Sequence, residues 1–267
     1  MPYRHILYEK DDRIARVILN RPRQRNAQSR VLLEEMDQAF AAAVADDDVR
    51  VVILSGAGDH FSSGHDLGTP EELEDHAKRP YGRGIRDQHR RSWDLYLDNT
   101  LRWRDLPKPT IAQVQGFCIF GGWMIASAMD LIVAADDARF LPSLTQYFSA
   151  PWDIGVRKAK EVLFQSRFMD APEAMRAGFV NTVVPRAELE QETLALARRI
   201  AETDRFVLRM LKLAVNQAQD AMGFTAAIRG AHSHHFLLAA GQALRNAGDF
   251  RVEGRRLGGV DQALKKK

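Results

Sequence analysis

Residues Gln113 to Asp130, QVQGFCIFGGWMIASAMD, constrain this chain more than any other stretch. The apolar run Thr110–Val114 lies between Pro109 and Gly116 and reads as a buried strand ending in a turn. Gly121 and Gly122 come next, followed at once by the Ala-rich WMIASAM, which reads as a helix opening at the glycines. The first N–H groups of a helix lack intrahelical partners and sit at the positive end of its dipole. Glycines there let another group approach the backbone closely. Such a place suits an anion, including one that exists only during a reaction. On these residues alone, close packing of two elements explains the glycines equally well.

A second stretch adds to the first. Val49–Ser55, VRVVILS, reads as another buried strand. After it runs GAGDHFSSGHDL, Gly56–Leu67, rich in Gly and Ser and ending where a helix can begin, with Asp66 near its first turn. Two strands that each lead into a glycine-marked turn can aim two backbone donors at one oxygen, the usual number for an oxyanion hole.

With both stretches in view the chain resembles the crotonase superfamily, the enoyl-CoA hydratase/isomerase family. Its members carry a strand, a segment of the form GAGxxFxxGxDL, and later a strand and xGxxxxGG opening a helix. Here these read GAGDHFSSGHDL and QGFCIFGG, and the resemblance covers nearly the whole chain. It implies an α/β fold, a spiral of ββα repeats over residues 1–200. A C-terminal helical region, residues 201–267, would build a homotrimer or a dimer of trimers. It also implies an acyl-CoA thioester as substrate, with coenzyme A present as part of that substrate and no other cofactor.

By position, the two oxyanion-hole amides fall on His65 and Gly121. They would polarise the thioester carbonyl and stabilise the enolate that follows. Further substrate contacts carried over by position are Ser63, Asp66, Leu67 and Phe120. Arg25 would meet a coenzyme A phosphate, and Ala27 would leave room for the pantetheine arm. Asp66 is read as mainly structural. Phe179–Pro185, FVNTVVP, is locally similar to the dihydroxynaphthoyl-CoA synthase branch.

The chain departs from the family's hydratases at two positions. There, two glutamates act as acid and base; the matching positions here hold Met124 and Leu144. Neither side chain can move a proton, so a hydratase mechanism through them is excluded. Asp153, in PWDIG, lies close to where aspartates act in two other branches, the synthase above and the chlorobenzoyl-CoA dehalogenases. Apolar neighbours would desolvate it and raise its pKa toward that of a working base. Equally, it could cap a helix starting near Gly155. Tyr147 is read as an oxyanion donor or as pocket wall. Two alternative functions stay open: a carbon–carbon bond hydrolase of the same superfamily, and a non-catalytic acyl-CoA-binding member.

The rest of the chain fits a globular protein. Lys+Arg 38 against Asp+Glu 35 gives a net +3, spread along the chain, which argues against a nucleic-acid partner. One cysteine, Cys118, rules out an internal disulfide framework and reads as a small core residue. The first residues lack the apolar core of a signal peptide, and no run reaches the roughly 20 apolar residues of a membrane span. A cytoplasmic protein without a membrane partner is expected. Tyr3–Asn20 reads as a hairpin turning at Asp11–Asp12, and Ser29 as the cap of a helix carrying Leu32, Met36, Phe40 and Val44 on one face. Thr69–Leu106 is the most charged part; His89, Arg86 and Arg90 there read as solvated surface. The His232–His235 tract, HSHH, lacks metal-ligand spacing, and no metal is expected. Leu264–Lys267 reads as a solvated tail.

Overall fold

A computed structural model of the chain describes residues 3–82 and 84–246; Leu264–Lys267 lies outside them. The hairpin forms as expected: β1 (Ile6–Asp11) pairs antiparallel with β2 (Ile14–Leu19). Asp12 takes the left-handed conformation that closes the turn, φ 51°. Helix α1 (Arg30–Ala45) starts at Ser29, whose hydroxyl accepts the Leu32 N–H at 3.1 Å. Its inner face is Leu32, Met36, Ala39, Phe40 and Ala43, while Val44 sits at the edge, half-buried.

Strand β3 (Val51–Gly56) is buried along its whole length. After the Gly/Ser-rich loop come α2 (Pro70–Lys78) and α3 (Ile85–Ser92). A π-helical stretch, Trp93–Asp98, then runs into α4 (Asn99–Arg104). Next are β4 (Thr110–Val114), β5 (Phe117–Ile119) and α5 (Gly121–Ser127). The same order recurs with β6 (Leu131–Ala135), β7 (Arg139–Leu141), α6 (Ala150–Asp153) and α7 (Val156–Gln165). The short β8 (Met169–Asp170), α8 (Ala171–Arg176) and β9 (Thr182–Val184) follow. Three longer helices end the described chain: α9 (Leu189–Ala201), α10 (Arg205–Ala221) and α11 (Phe224–Asn246).

Each repeat gives its first strand to one sheet and its second to another. The larger sheet has the order β1-β2-β3-β4-β6-β9, parallel from β2 onward. The smaller sheet has the order β5-β7-β8. The chain therefore advances as a spiral, one rung in each sheet per turn. Helix α1 and the inner side chains of β2, β3 and β4 share the main core, with Met36, Phe40, Leu54, Trp103 and Trp123 near full burial. Helix α9 covers the other face through Leu189, Ala197 and Ala201 against Val51, Ile53, Ile111 and Val133. Burial on both faces explains why β3 and β4 read as unbroken apolar runs. Cys118 is fully buried in the main core, and burial pushes its thiol well up, so it packs as a small hydrophobe.

Candidate active site

The two glycine-marked loops run side by side. Ser62 pairs as a parallel bridge with Cys118: Ser62 N–H donates to Phe117 O at 2.9 Å and Ile119 N–H to Ser62 O at 3.1 Å. Gln28 pairs in the same way with His65, through Gln28 N–H to Gly64 O at 2.8 Å and Asp66 N–H to Gln28 O at 3.0 Å. That register uses the backbone groups on either side of His65 and turns its own N–H to the opposite side. The His65 amide meets no acceptor among the described residues.

Gly121 stands next to this loop. A Cβ on Gly64 (φ +90°) would lie 3.0 Å from Gly121 N and 2.8 Å from Ile119 O, so only glycine allows the approach. Phe120 N–H donates to Leu141 O at 2.9 Å, and Met124 N–H to Phe120 O at 3.0 Å. The Gly121 amide between them is unpaired among the described residues. Phe120 itself has φ 47° and ψ −101°, a conformation that costs a bulky residue energy and must be held by its surroundings. Such outliers cluster at functional sites. Gly121 has no room for a side chain: its Cβ would meet Gln28 Oε1 at 2.6 Å and His65 Nε2 at 2.9 Å.

The His65 imidazole lies against Tyr96, ring centroids 3.9 Å apart, and its Nε2 is buried without a partner. Burial, aided by the charges of His235 and Arg91, lowers its pKa to about 3, so the ring is neutral at physiological pH. It lines a cavity of about 420 Å³ between the Asp66–Leu73 segment, α3, the π-helical stretch and α11. Leu67, almost fully exposed, stands at the same cavity.

Asp66 serves the fold. Its buried carboxylate pairs with Arg21 at 2.8 Å and accepts the Gly68 N–H, the Thr69 N–H and the Thr69 hydroxyl. Burial pushes the carboxyl up, but the bonds from Thr69, Gly68 and Arg21 hold it below its ordinary value. Arg25 takes a left-handed conformation at φ 52°, and its carbonyl accepts the Ser63 N–H at 2.9 Å. Its guanidinium is exposed, 5.9 Å from the Phe117 ring centroid, with no ion pair among the described residues. Ala27 is buried, and its carbonyl accepts from Arg21 at 2.6 Å.

The positions matching the two glutamates differ from one another. Met124 is buried among Leu97, Leu101, Tyr147, Phe224 and Ile228, whereas Leu144 is 49% exposed. Tyr147 is fully buried, its hydroxyl unpartnered, and burial followed by the Asp153 charge pushes its phenol up. It packs in that cluster rather than on the cavity wall beside His65.

Asp153 is not a cap for α7. The cap position is Gly155, and no side chain serves it. Asp153 instead accepts the Trp123 indole N–H at 2.8 Å, where α6 packs on α5. Burial pushes its pKa up to about 7, against the opposing hydrogen bonds from Ser149 and Trp123. Asp153 does not line the cavity beside His65.

Several groups at the site were not legible in the sequence. Gln28 fills the space beside Gly121, and Tyr96 carries the His65 ring. Glu72 is buried, accepting Arg30 N–H at 3.0 Å and facing His76 at 2.9 Å and Arg91 at 3.3 Å. The pattern Thr69-x-x-Glu72 is a capping-box signal and marks the start of α2. Its usual return bond is absent, because Asp66 already takes the Thr69 N–H. Arg86, His89 and Arg90 are exposed, as expected of solvated surface. Among the described residues no group of three or more His, Cys, Asp or Glu is placed to hold a metal.

A spiral of strand–strand–helix repeats shared between two sheets defines a crotonase-type protein. A sequence model described as enoyl-CoA hydratase/isomerase matches residues 9–237, and the chain belongs to that family. It is 42% identical over 257 residues to the Mycobacterium tuberculosis protein named "Putative enoyl-CoA hydratase EchA13", covering 88% of this chain and 80% of that one. The crystal structure of a "probable" enoyl-CoA hydratase from Mycobacterium smegmatis matches with TM-score 0.82 at 42% identity, over 91% of this chain and 98% of that one. An enoyl-CoA hydratase/isomerase from Xanthobacter autotrophicus Py2 matches with TM-score 0.77 at 35% identity, over 86% of each chain. These relatives do not bear on the dihydroxynaphthoyl-CoA synthase branch, and the likeness at Phe179–Pro185 remains local. No helix among the described residues is long and apolar enough to cross a membrane.

Proposed function

We propose that this chain binds an acyl-CoA thioester and converts its acyl group through an enolate, without efficient hydration of a double bond. The pair of unpaired amides at His65 and Gly121 carries this reading. Two N–H donors on one carbonyl oxygen stabilise the negative charge that develops there more than the neutral ground state. The strained Phe120 and the Gly64–Gly121 contact fix their direction in advance. Arg25, free of ion pairs among the described residues, supplies a cation for a coenzyme A phosphate. The buried Ala27 leaves room beside the loop for the pantetheine arm.

Met124 and Leu144 cannot supply the acid and base that paired addition of water needs. Asp153 is the carboxylate that remains on the α5–α6 contact. With its pKa near 7 it accepts a proton at neutral pH and returns it without a large penalty. As the proposed base it would take the α proton of an acyl group lying along α5, outside the cavity beside His65; the C–H electron pair moves into the thioester, and the charge settles on the oxygen between the two amides. Return of the proton to another carbon gives isomerisation, and breakage of a bond at the β carbon gives a lyase outcome. The exposed apolar side chains of α10 support assembly as a homotrimer or a dimer of trimers.

Gly121→Pro removes one amide donor and should lower turnover of a responsive acyl-CoA by about a hundredfold or more. Circular dichroism must show a native fold, because proline can also disturb the backbone. Wild-type turnover by a folded variant would remove the oxyanion role of Gly121.

A further inference from the structure

The two loops that carry the His65 and Gly121 amides are joined by a side chain as well as by backbone. Phe61 N–H donates to Gln115 O at 2.7 Å, and the next donor, Ser62 N–H, reaches Phe117 O at 2.9 Å. Consecutive residues of the first loop thus meet residues two apart in the second, and Gly116 is the extra one. It stands at φ 53°, and a Cβ there would lie 2.2 Å from Asp59 O and 2.4 Å from His60 Nδ1. The Phe117 N–H, just past this bulge, donates to His60 Nδ1 at 3.2 Å.

A backbone N–H can only donate, so Nδ1 is unprotonated, the ring proton sits on Nε2 and the imidazole is neutral. The ring lies flat against Phe117, centroids 4.6 Å apart at 17°, and Phe168 continues the stack at 5.9 Å. The charged groups facing it are Arg25 after β2, Asp59 in its own loop, Asp137 after β6 and Arg186 after β9. Arg186 pairs with both Asp137 and Asp59. Burial first, then the Arg25 charge, lowers the His60 pKa. The folded pKa lies below the ordinary 6.5, so the bond is intact above pH 6.5 and is lost as pH falls through the folded value. Protonation there sets an N–H against an N–H.

His60 precedes His65 in the first loop, and Phe117 precedes Gly121 in the second. Beyond the bond, the loops keep step through the Ser62–Cys118 bridge up to the Gly64–Gly121 approach. A slip at His60 therefore moves one amide against the other. A displacement of roughly 1 Å can cost about a hundredfold in rate.

We infer that His60 is a positioning residue: its Nδ1, by accepting the Phe117 N–H, clips the first loop to the second and holds the His65 and Gly121 amides at the separation one thioester oxygen requires. This rests on the acyl-CoA reading above. The test compares full-length wild type, His60→Asn and His60→Leu at about pH 8 and about pH 4.5. Asn places Oδ1 where Nδ1 stands and does not titrate, whereas Leu accepts nothing. Two quantities are read: the protection of the Phe117 amide from hydrogen exchange, corrected for the intrinsic effect of pH, and the α-deuteration of butyryl-CoA. At the higher pH, wild type and the Asn variant should agree within about twofold on both, and the Leu variant should lose about tenfold. At the lower pH, wild type should fall below the Asn variant by about threefold or more on both. Comparison at one pH cancels the titration of other groups, Asp153 included. Circular dichroism checks the fold, and if the Leu variant is not native the ratio of wild type to the Asn variant decides alone. Equal behaviour of all the proteins overturns the inference and leaves the acyl-CoA reading standing. Protection that responds while α-deuteration does not makes His60 a structural clip only and overturns its positioning role. Absence of α-deuteration by wild type at either pH overturns the acyl-CoA reading and the inference with it.

Discussion

The Trp123 indole N–H donates to Asp153 Oδ2 at 2.8 Å, joining the helix that opens at the paired glycines to the short helix behind it. This bond satisfies a partly buried carboxylate but does not restore its acidity, because desolvation outweighs it and the pKa stands near 7. The folded pKa lies above the unfolded one, so between about pH 4 and pH 7 the folded state binds more protons. Stability is therefore full below about pH 4 and falls as pH rises through 7. The cost at pH 8 is on the order of a few kcal/mol. Asp153→Asn keeps the shape and an acceptor for Trp123. It should raise the melting temperature at pH 8 and leave it nearly unchanged at pH 4. An equal shift at both pH values would show that burial of the charge is not the cause.

The same ionisation should govern activity. His65 stays neutral, its pKa pushed down to about 3, and contributes no titration between pH 5 and 9. If Asp153 is the base, kcat of a responsive acyl-CoA rises through about pH 7 and then levels. A flat profile from pH 5 to 8 would remove that role.

Arg21 and Asp66 form a pair whose side chains are 2% and 0% exposed. Arg21 also holds Glu71 at 2.8 Å, whereas Asp66 has Arg21 as its ionic partner, so Arg21→Met strands the buried Asp66 charge and should cost about 3–5 kcal/mol in denaturant unfolding. Arg21→Met with Asp66→Leu together should cost less than the sum of the single changes. Additive losses would show that the two residues act separately.

Helix α10 exposes Phe206, Val207, Leu211 and Val215 at 45–68% and has no buried residue of its own. Light scattering should give a mass three or six times that of the chain. Leu211→Glu should shift it toward the monomer. A wild-type monomer at micromolar concentration would contradict the assembly.

Much of the fold was legible because it rests on local signals. The apolar runs at Val51–Gly56 and Thr110–Val114, the Ser29 cap and the Gly121 helix start each announce themselves within a few residues. The loop glycines were legible for the same reason. The role of Asp153 was not, because its partner Trp123 is 30 positions away and the competing cap was the local reading. The π-helical turn that brings Tyr96 onto His65 has no sequence period to reveal it. Glu72, Arg91 and Gln146 sit in a charged stretch or a loop, and only the approach of α11 turns them into a cavity wall. Long-range packing decides such groups, and a single sequence carries little trace of it.

The proposed site polarises a thioester without the acid–base pair of a hydratase. The most direct test incubates the protein with butyryl-CoA and crotonyl-CoA in deuterium oxide and follows both by proton NMR. We expect deuterium at the α carbon of butyryl-CoA faster than in buffer, lost in Asp153→Asn, with crotonyl-CoA left unhydrated. Rapid hydration of crotonyl-CoA, or α-deuteration that survives Asp153→Asn at the wild-type rate, would contradict it.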